Sequence, residues 1–151
     1  VSGCELGEGV GYPASLMPVM SFKTRVLQLK DVPAGHPIGY GCTFVTDRPS
    51  RIATLPVGYD DGLPRLLSNR GRVLIRGGRA PLVGRVSMNM ITVDVTEIPE
   101  AREDGEAVIL GAQGSERISA EEIAALCGTI SYEILCSFGR HRYKFFHNAR
   151  S

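Results

Sequence analysis

Apolar runs in this chain are short, and glycine or proline closes most of them: 18 Gly and 9 Pro are spread through 151 residues. Between these breaks lie β-type runs at Ile38 to Phe44, Arg51 to Val57, Arg72 to Ile75, Pro81 to Val86, Met90 to Val95 and Ala107 to Leu110. Many short strands at such spacing predict a mainly β fold, a small antiparallel barrel or sandwich-like domain. Gly71 and the Gly77-Gly78 pair suit tight hairpin connections. A longer strand is expected from Val19 to Leu29. Neither of its faces is apolar throughout, so the chain should bend or change sheets near Val26-Leu27. Asp31 to Gly35 reads as a turn, because proline presets φ and glycine accepts the left-handed region.

One helix is expected near residues 119–127. Ser119 and Glu122 form a capping-box pattern, Ile123 and Leu126 share a face, and Gly128 supplies the stop. Ile130 to Phe138 reads as a buried strand whose Glu133 must find a partner or solvent, and a further strand is expected at about Arg142 to Phe146. Residues 1–17, rich in glycine, read as a connector, 18–146 as the domain and 147–151 as a tail. No internal repeat or low-complexity tract is present.

Composition narrows the function classes. A hydrophobic fraction of 43% with 22% charged residues is that of an ordinary globular domain. The net charge of +1 provides no field to draw polyanions or a membrane surface, which argues against nucleic acid and membrane as partners. No run approaches the ~20 apolar residues of a membrane span. The first residues, Val1 to Glu5, lack the basic and apolar regions of a secretory signal, and an opening without Met suggests a fragment. Cys4, Cys42, Cys127 and Cys136 have no CxxC spacing and no nearby His, so no metal site is expected. Reduced thiols in a cytoplasmic protein are the plain reading.

Four segments carry candidate chemistry. In Gly39-Tyr40-Gly41-Cys42-Thr43, glycine on both sides of the tyrosine lets other backbone or a ligand come close. A phenol there is either an acid/base group, which needs nearby positive charge to work as phenolate at neutral pH, or a core tyrosine at a strand end. In Pro56-Val57-Gly58-Tyr59-Asp60-Asp61-Gly62 the adjacent carboxylates point to opposite faces of a strand, so turn chemistry is favoured over an acid/base dyad. Gly84-Arg85-Val86-Ser87-Met88-Asn89-Met90 starts as a strand and then sets polar atoms between methionines. Free backbone N–H groups there could bind a carboxylate. Tyr132-Glu133 and Cys136 mark the fourth segment.

In order and spacing, these four segments and the opening Pro18 to Val26 resemble the alanine racemase family over nearly the whole chain from Pro18 to Arg142. The resemblance implies the second, mostly β domain of such enzymes. It would cap the active site on the amino-terminal (β/α)8 barrel of the other subunit in a head-to-tail homodimer. That barrel, absent from this chain, would hold pyridoxal 5'-phosphate through a lysine. Tyr40 would be the base acting on L-alanine, and the backbone N–H of Met88 would hold the substrate carboxylate. Tyr59 would line the substrate's way in, with Arg65 and Arg85 further out along it. The activity implied is interconversion of L- and D-alanine, the latter for peptidoglycan.

Two positions depart from the family pattern. Asn89 follows Met88 where Asp is usual, and no tyrosine follows Cys136 until Tyr143, so no contact to the cofactor phosphate is carried over. Lys23, Lys30 and Lys144 do not match the cofactor lysine. Two rival readings stay open. One is an RNA-binding module using Arg65, Arg70, Arg72, Arg76 and Arg79, although Arg65 to Arg79 has none of the interleaved aromatics that stack bases. The other is the cap of a broader-specificity or serine racemase; an amino-acid decarboxylase cap is disfavoured, because nothing around Cys42 or Cys136 resembles the Cys-containing segment such caps usually carry. The chain alone is expected neither to bind pyridoxal phosphate tightly nor to racemise alanine. Incubation with the cofactor followed by borohydride should leave its mass unchanged, and a stoichiometric adduct would contradict the expectation.

Overall fold

A computed structural model describes residues 18–140. The expected connector at 1–17, the strand near 142–146 and the tail lie outside them. The described residues form a mainly β domain of antiparallel sheets with two short helices.

The expected long first strand is split where its faces change character. β1 (Phe22–Arg25) and β2 (Gln28–Val32) flank Val26 and Leu27 and belong to different sheets. Val26 is fully buried and bonds in both directions to the Asp104-Gly105 turn, while the Leu27 N–H donates to Thr54. β3 (Pro37–Ile38) and β4 (Phe44–Val45) pair as a short hairpin. β2, β5 (Ser50–Leu55) and β8 (Ile91–Asp94) make a three-stranded sheet with β5 in the middle. The five-stranded sheet centres on β9 (Glu106–Gln113), whose neighbours are β1, β6 (Arg72–Ile75) and β10 (Glu116–Ile118). β7 (Gly78–Pro81) pairs with the far side of β6, and a bridge from Leu82 to Val93 joins the two larger sheets. Among the described residues no sheet closes on itself, so the fold is a set of antiparallel sheets around a shared core rather than a closed barrel.

The main core fills the space between these sheets and the helices, with Leu55, Leu74, Ile75, Ile91, Ile109 and Ile134 almost wholly buried. The β3–β4 hairpin stands on a separate small cluster of Val32, Ile38, Ile52 and Val83, against which Phe44 packs. Thr46 closes the hairpin's base. Its buried hydroxyl donates to the Pro33 carbonyl at 2.7 Å and accepts from the His36 N–H at 2.9 Å.

Helix α1 (Ala120–Cys127) forms where the capping pattern placed it, and Ser119 Oγ accepts from the Glu122 N–H at 3.1 Å. Gly128 ends it in the left-handed region. The Glu122 carboxylate does not turn back to the cap; it pairs with Arg79 on β7 at 2.6 Å. Arg79 also reaches Glu116 on β10 at 2.7 Å and the Arg117 carbonyl.

The expected strand at Ile130 to Phe138 is a helix, α2 (Ser131–Gly139). Its buried positions are Ser131, Ile134 and Phe138, a helical spacing, and Phe138 stacks on Phe22 with ring centroids 4.7 Å apart. β-Branched and aromatic content suggested a strand, but α1 offers an apolar face and packing overrides propensity. Glu133 finds its partner in the Thr129 hydroxyl. The hairpin between β6 and β7 turns on Arg76 and Gly77, both at positive φ, one residue earlier than expected. Gly78 is already in the strand, and a Cβ there would meet Ile98 Cδ1 at 3.0 Å.

Among the described residues, Arg79 is the one side chain tying β7, β10 and α1 together through charge-assisted bonds. All three partners are partly solvated, which limits the value of each bond. Replacing Arg79 by Met should lower the free energy of unfolding by about 1–3 kcal/mol, read as a shift in denaturant midpoint.

Candidate active site

Tyr40 sits at the tip of the β3–β4 hairpin. The expected continuous strand from Ile38 to Phe44 is broken there, because Gly39, Gly41 and Cys42 all take positive φ (73°, 79° and 48°). The tyrosine is 81% exposed, so the core-residue alternative is excluded. The glycines beside it mark close approach. A Cβ on Gly39 would lie 3.4 Å from Gly84 Cα, and one on Gly41 would lie 3.6 Å from Arg85 Nη1. The hairpin tip thus rests on the Gly84-Arg85 backbone, with a guanidinium against the residue following Tyr40.

β5 delivers the second segment. After Val57 the chain passes Gly58, where an added Cβ would fall 2.3 Å from the carbonyl oxygens of both Ser87 and Met88. The next two amides donate into the same loop, Tyr59 N–H to the Ser87 carbonyl at 3.0 Å and Asp60 N–H to the Met88 carbonyl at 2.9 Å. Tyr59, Asp60 and Asp61 form a 3-10 turn, and Asp61 Oδ2 accepts from the Gly58 N–H at 2.8 Å. One carboxylate is thereby committed to the turn, in line with turn chemistry rather than a dyad.

The third segment is a loop, not a strand, beyond Leu82. Ser87 Oγ donates to the Met90 carbonyl at 2.7 Å, and the Met90 N–H donates back to Ser87 Oγ at 3.1 Å. Between them Met88 and Asn89 sit at an exposed tip, and among the described residues no acceptor takes their N–H groups. A second 3-10 turn, Arg65–Leu67, carries Arg65. Ser68 links it to the loop by donating to the Arg65 carbonyl at 2.6 Å and accepting from the Val86 N–H at 3.0 Å. Asn69, at φ 57°, bonds to both the N–H and the carbonyl of Gly84.

All five residues singled out in the sequence, Tyr40, Tyr59, Arg65, Arg85 and Met88, line one open cleft of about 360 Å³ together with Val86 and Ser87. The lining holds two guanidiniums and no carboxylate. Neither arginine has an ion-pair partner among the described residues. The cleft is therefore positively charged, which suits a small carboxylate. Lys23 and Lys30 lie away from it, on β1 and β2, and Lys23 pairs with Glu106 at 3.1 Å. That ammonium holds the Glu106 carboxyl below its usual range. Ser68 and Asn69 were not singled out in the sequence. Their segment reads as basic turn surface, and the only local signal is an Asn in a Ser-Asn-Arg-Gly turn.

A profile described as "Alanine racemase, C-terminal domain" matches residues 19–146. The chain belongs to this family. It is 75% identical over 136 residues to an alanine racemase of Syntrophobacter fumaroxidans, covering 90% of this chain and 36% of that protein. The crystal structure of alanine racemase from Bacillus anthracis with bound L-Ala-P is similar at TM-score 0.77 and 38% identity, over 83% of this chain and 32% of that one. That of Bartonella henselae alanine racemase, with covalently bound pyridoxal phosphate, matches at TM-score 0.77 and 37% identity, over 86% and 35%. The chain spans about a third of the length of the curated relatives it matches. Family membership selects the racemase resemblance over the RNA-binding reading. Arg79, one of the five arginines of that reading, is in any case tied to Glu116 and Glu122.

Other groups are quieter. No cluster of His, Cys, Asp and Glu suited to a metal ion occurs among the described residues, and no described helix is long and apolar enough to cross a membrane. Burial pushes the Cys127 thiol up, so it stays protonated.

The contact at Gly58 can be tested directly. A Gly58→Ala change must separate β5 from the Ser87-Met88 carbonyls and break the two amide bonds that follow. It should cost about 1–3 kcal/mol of stability, read in a denaturant titration.

Proposed function

We propose that this chain is the carboxyl-terminal domain of a pyridoxal-phosphate-dependent alanine racemase. In that reading it faces the amino-terminal barrel of a second subunit in a head-to-tail homodimer. The observation that carries the reading is the convergence of Tyr40, Tyr59, Arg65, Arg85 and Met88, drawn from three separate segments, on one cleft. The product D-alanine would serve peptidoglycan synthesis in the cytoplasm.

The described residues do not fit the cofactor's own anchorage, since the cleft they line contains no lysine. Pyridoxal phosphate is assigned to the barrel, where it supplies an electron sink that makes the substrate's α-proton removable. The residues of this chain do the rest of their work on the substrate. The N–H of Met88 binds the carboxylate, and Arg85 and Arg65, which have no ion-pair partner among the described residues, draw an amino acid's carboxylate toward the cleft. Tyr59 and the arginines narrow the way in and keep bulk water from the reacting carbon.

Tyr40 handles the proton. Its phenolic oxygen takes the α-proton from L-alanine, and in the reverse direction gives a proton back on that face. Racemisation requires a second base on the opposite face, because a single base would mostly regenerate the starting enantiomer. That base is assigned to the barrel's lysine. Tyr40 thus determines stereochemical outcome as well as rate.

The equilibrium constant between enantiomers is unity, so overall racemisation in the two directions must fall together in any variant. The face-specific role is visible instead in the loss of α-deuterium from each enantiomer to solvent. In the complete enzyme, Tyr40→Phe should lower that loss from L-alanine by about 10²–10⁴-fold and spare it for D-alanine. Equal losses for both enantiomers would overturn the assignment.

A further inference from the structure

The hairpin that presents Tyr40 is held firmly at its base and lightly at its tip. Ile38 and Phe44 anchor the base in the small apolar cluster, and Thr46 closes it. Within the tip, Gly39 to Thr43, the internal bond is Cys42 N–H to the Gly39 carbonyl at 3.3 Å. Among the described residues, one side chain hydrogen-bonds to the tip from outside, and it is Asn69. Its Nδ2 donates to Thr43 Oγ1 at 3.3 Å and to the Thr43 carbonyl at 3.5 Å.

The same amide faces the carboxylate-binding loop. Asn69 Oδ1 accepts from the Gly84 N–H at 2.5 Å, while the Asn69 N–H donates to the Gly84 carbonyl at 3.2 Å. The two ends of the amide cannot exchange these duties, because the Gly84 N–H needs an acceptor and the Thr43 carbonyl needs a donor. Asparagine is also among the few non-glycine residues that tolerate the left-handed backbone found here. The side chain is solvent-exposed, so it adds little to core packing.

We propose that Asn69 is a positioning residue for Tyr40: its amide fixes the Gly39–Thr43 tip relative to the Gly84–Met88 loop, and so sets where the phenol stands over a carboxylate bound at Met88. The inference rests on the reading of Tyr40 as the base for L-alanine. Asn69 touches neither base nor substrate. It acts by holding two loops at a fixed separation, and a proton transfer tolerates little error in that separation.

Asn69→Asp separates positioning from support. A carboxylate still accepts from the Gly84 N–H and can take a proton from the Thr43 hydroxyl, but it has none to give the Thr43 carbonyl and repels it, so the tip is held by a different and weaker contact. In the complete enzyme this variant should lose α-deuterium from L-alanine about 10–100-fold more slowly, with the loss from D-alanine near the parent rate. Amide hydrogen exchange should quicken in the segment 37–45 while the melting temperature holds. Asn69→Gly, unstrained at this φ, is the second variant if the first does not fold, and the same split is expected of it. Tyr40→Phe run in parallel keeps the two ideas apart. If Tyr40→Phe discriminates between the enantiomers and the Asn69 variants do not, the positioning role is overturned and the base assignment stands. If Tyr40→Phe itself shows no discrimination, the base assignment falls and the positioning role falls with it.

Discussion

The cleft depends on one backbone contact: Gly58 lies directly against the carbonyls of Ser87 and Met88, with no room for a side chain between them. The amides of Tyr59 and Asp60 then fall opposite those carbonyls and bond to them. Because both carbonyls are used inward, the N–H groups of Met88 and Asn89 are left without acceptors among the described residues, at an exposed tip. The open N–H at Met88, which the proposed function uses to bind a carboxylate, is thus a consequence of packing at Gly58. Asp61 completes the unit by capping the turn from within, so one of the two carboxylates that follow Tyr59 is spent on the fold.

The exposed side chains around this unit are unusual for a surface left facing water. Tyr40, Tyr59, Leu66, Met88 and Met90 are all substantially exposed, and four of the five belong to the cleft or its supporting loop. Burying such groups would gain free energy at about 25 cal/mol per Å² of apolar area, and contiguous exposed apolar surface marks an interaction site. The proposed dimer would use it, since a barrel seated over the cleft covers the methionines and encloses the phenol. The small apolar cluster beneath the hairpin suits that arrangement too. It sets Tyr40 on a support separate from the main core, so the tip's shape can be fixed by polar contacts suited to chemistry while the core is packed for stability.

Much of the fold was legible from local pattern. The change of character at Val26-Leu27 foretold the jump between sheets, and the Ser119 cap and Gly128 stop bracketed α1. What misled was composition without period. Ile130 to Phe138 is rich in strand formers, yet its buried positions follow a helical spacing that only a partner helix makes decisive. Ile38 to Phe44 looked continuous because a strand reading carries no information about φ, and three positive values turn it into a hairpin tip. The family, and the set of residues that meet in one cleft, were legible through the order of the motifs rather than through any single one. Tyr40 alone was better explained as packing, and its 81% exposure removes that explanation. Ser68 and Asn69 escaped notice because their role is to bond distant backbone groups, for which no local spacing exists.

The charge of the cleft gives the last constraint. An amino acid arrives with one carboxylate and one ammonium, and a site lined by Arg65 and Arg85 without a carboxylate favours only the first. The cleft would therefore orient a substrate carboxylate-first, toward the Met88 N–H, and leave the amino group directed away from this domain. That division matches the proposed assembly, in which the amino group is handled by the cofactor on the barrel. Asn89 reinforces it, because an aspartate beside Met88 would place a negative charge next to the bound carboxylate, whereas the neutral amide adds none. In the proposed assembly such a domain would hold one end of the substrate and deliver one proton, and a cleft charged in this way would be completed by the barrel's half of the site.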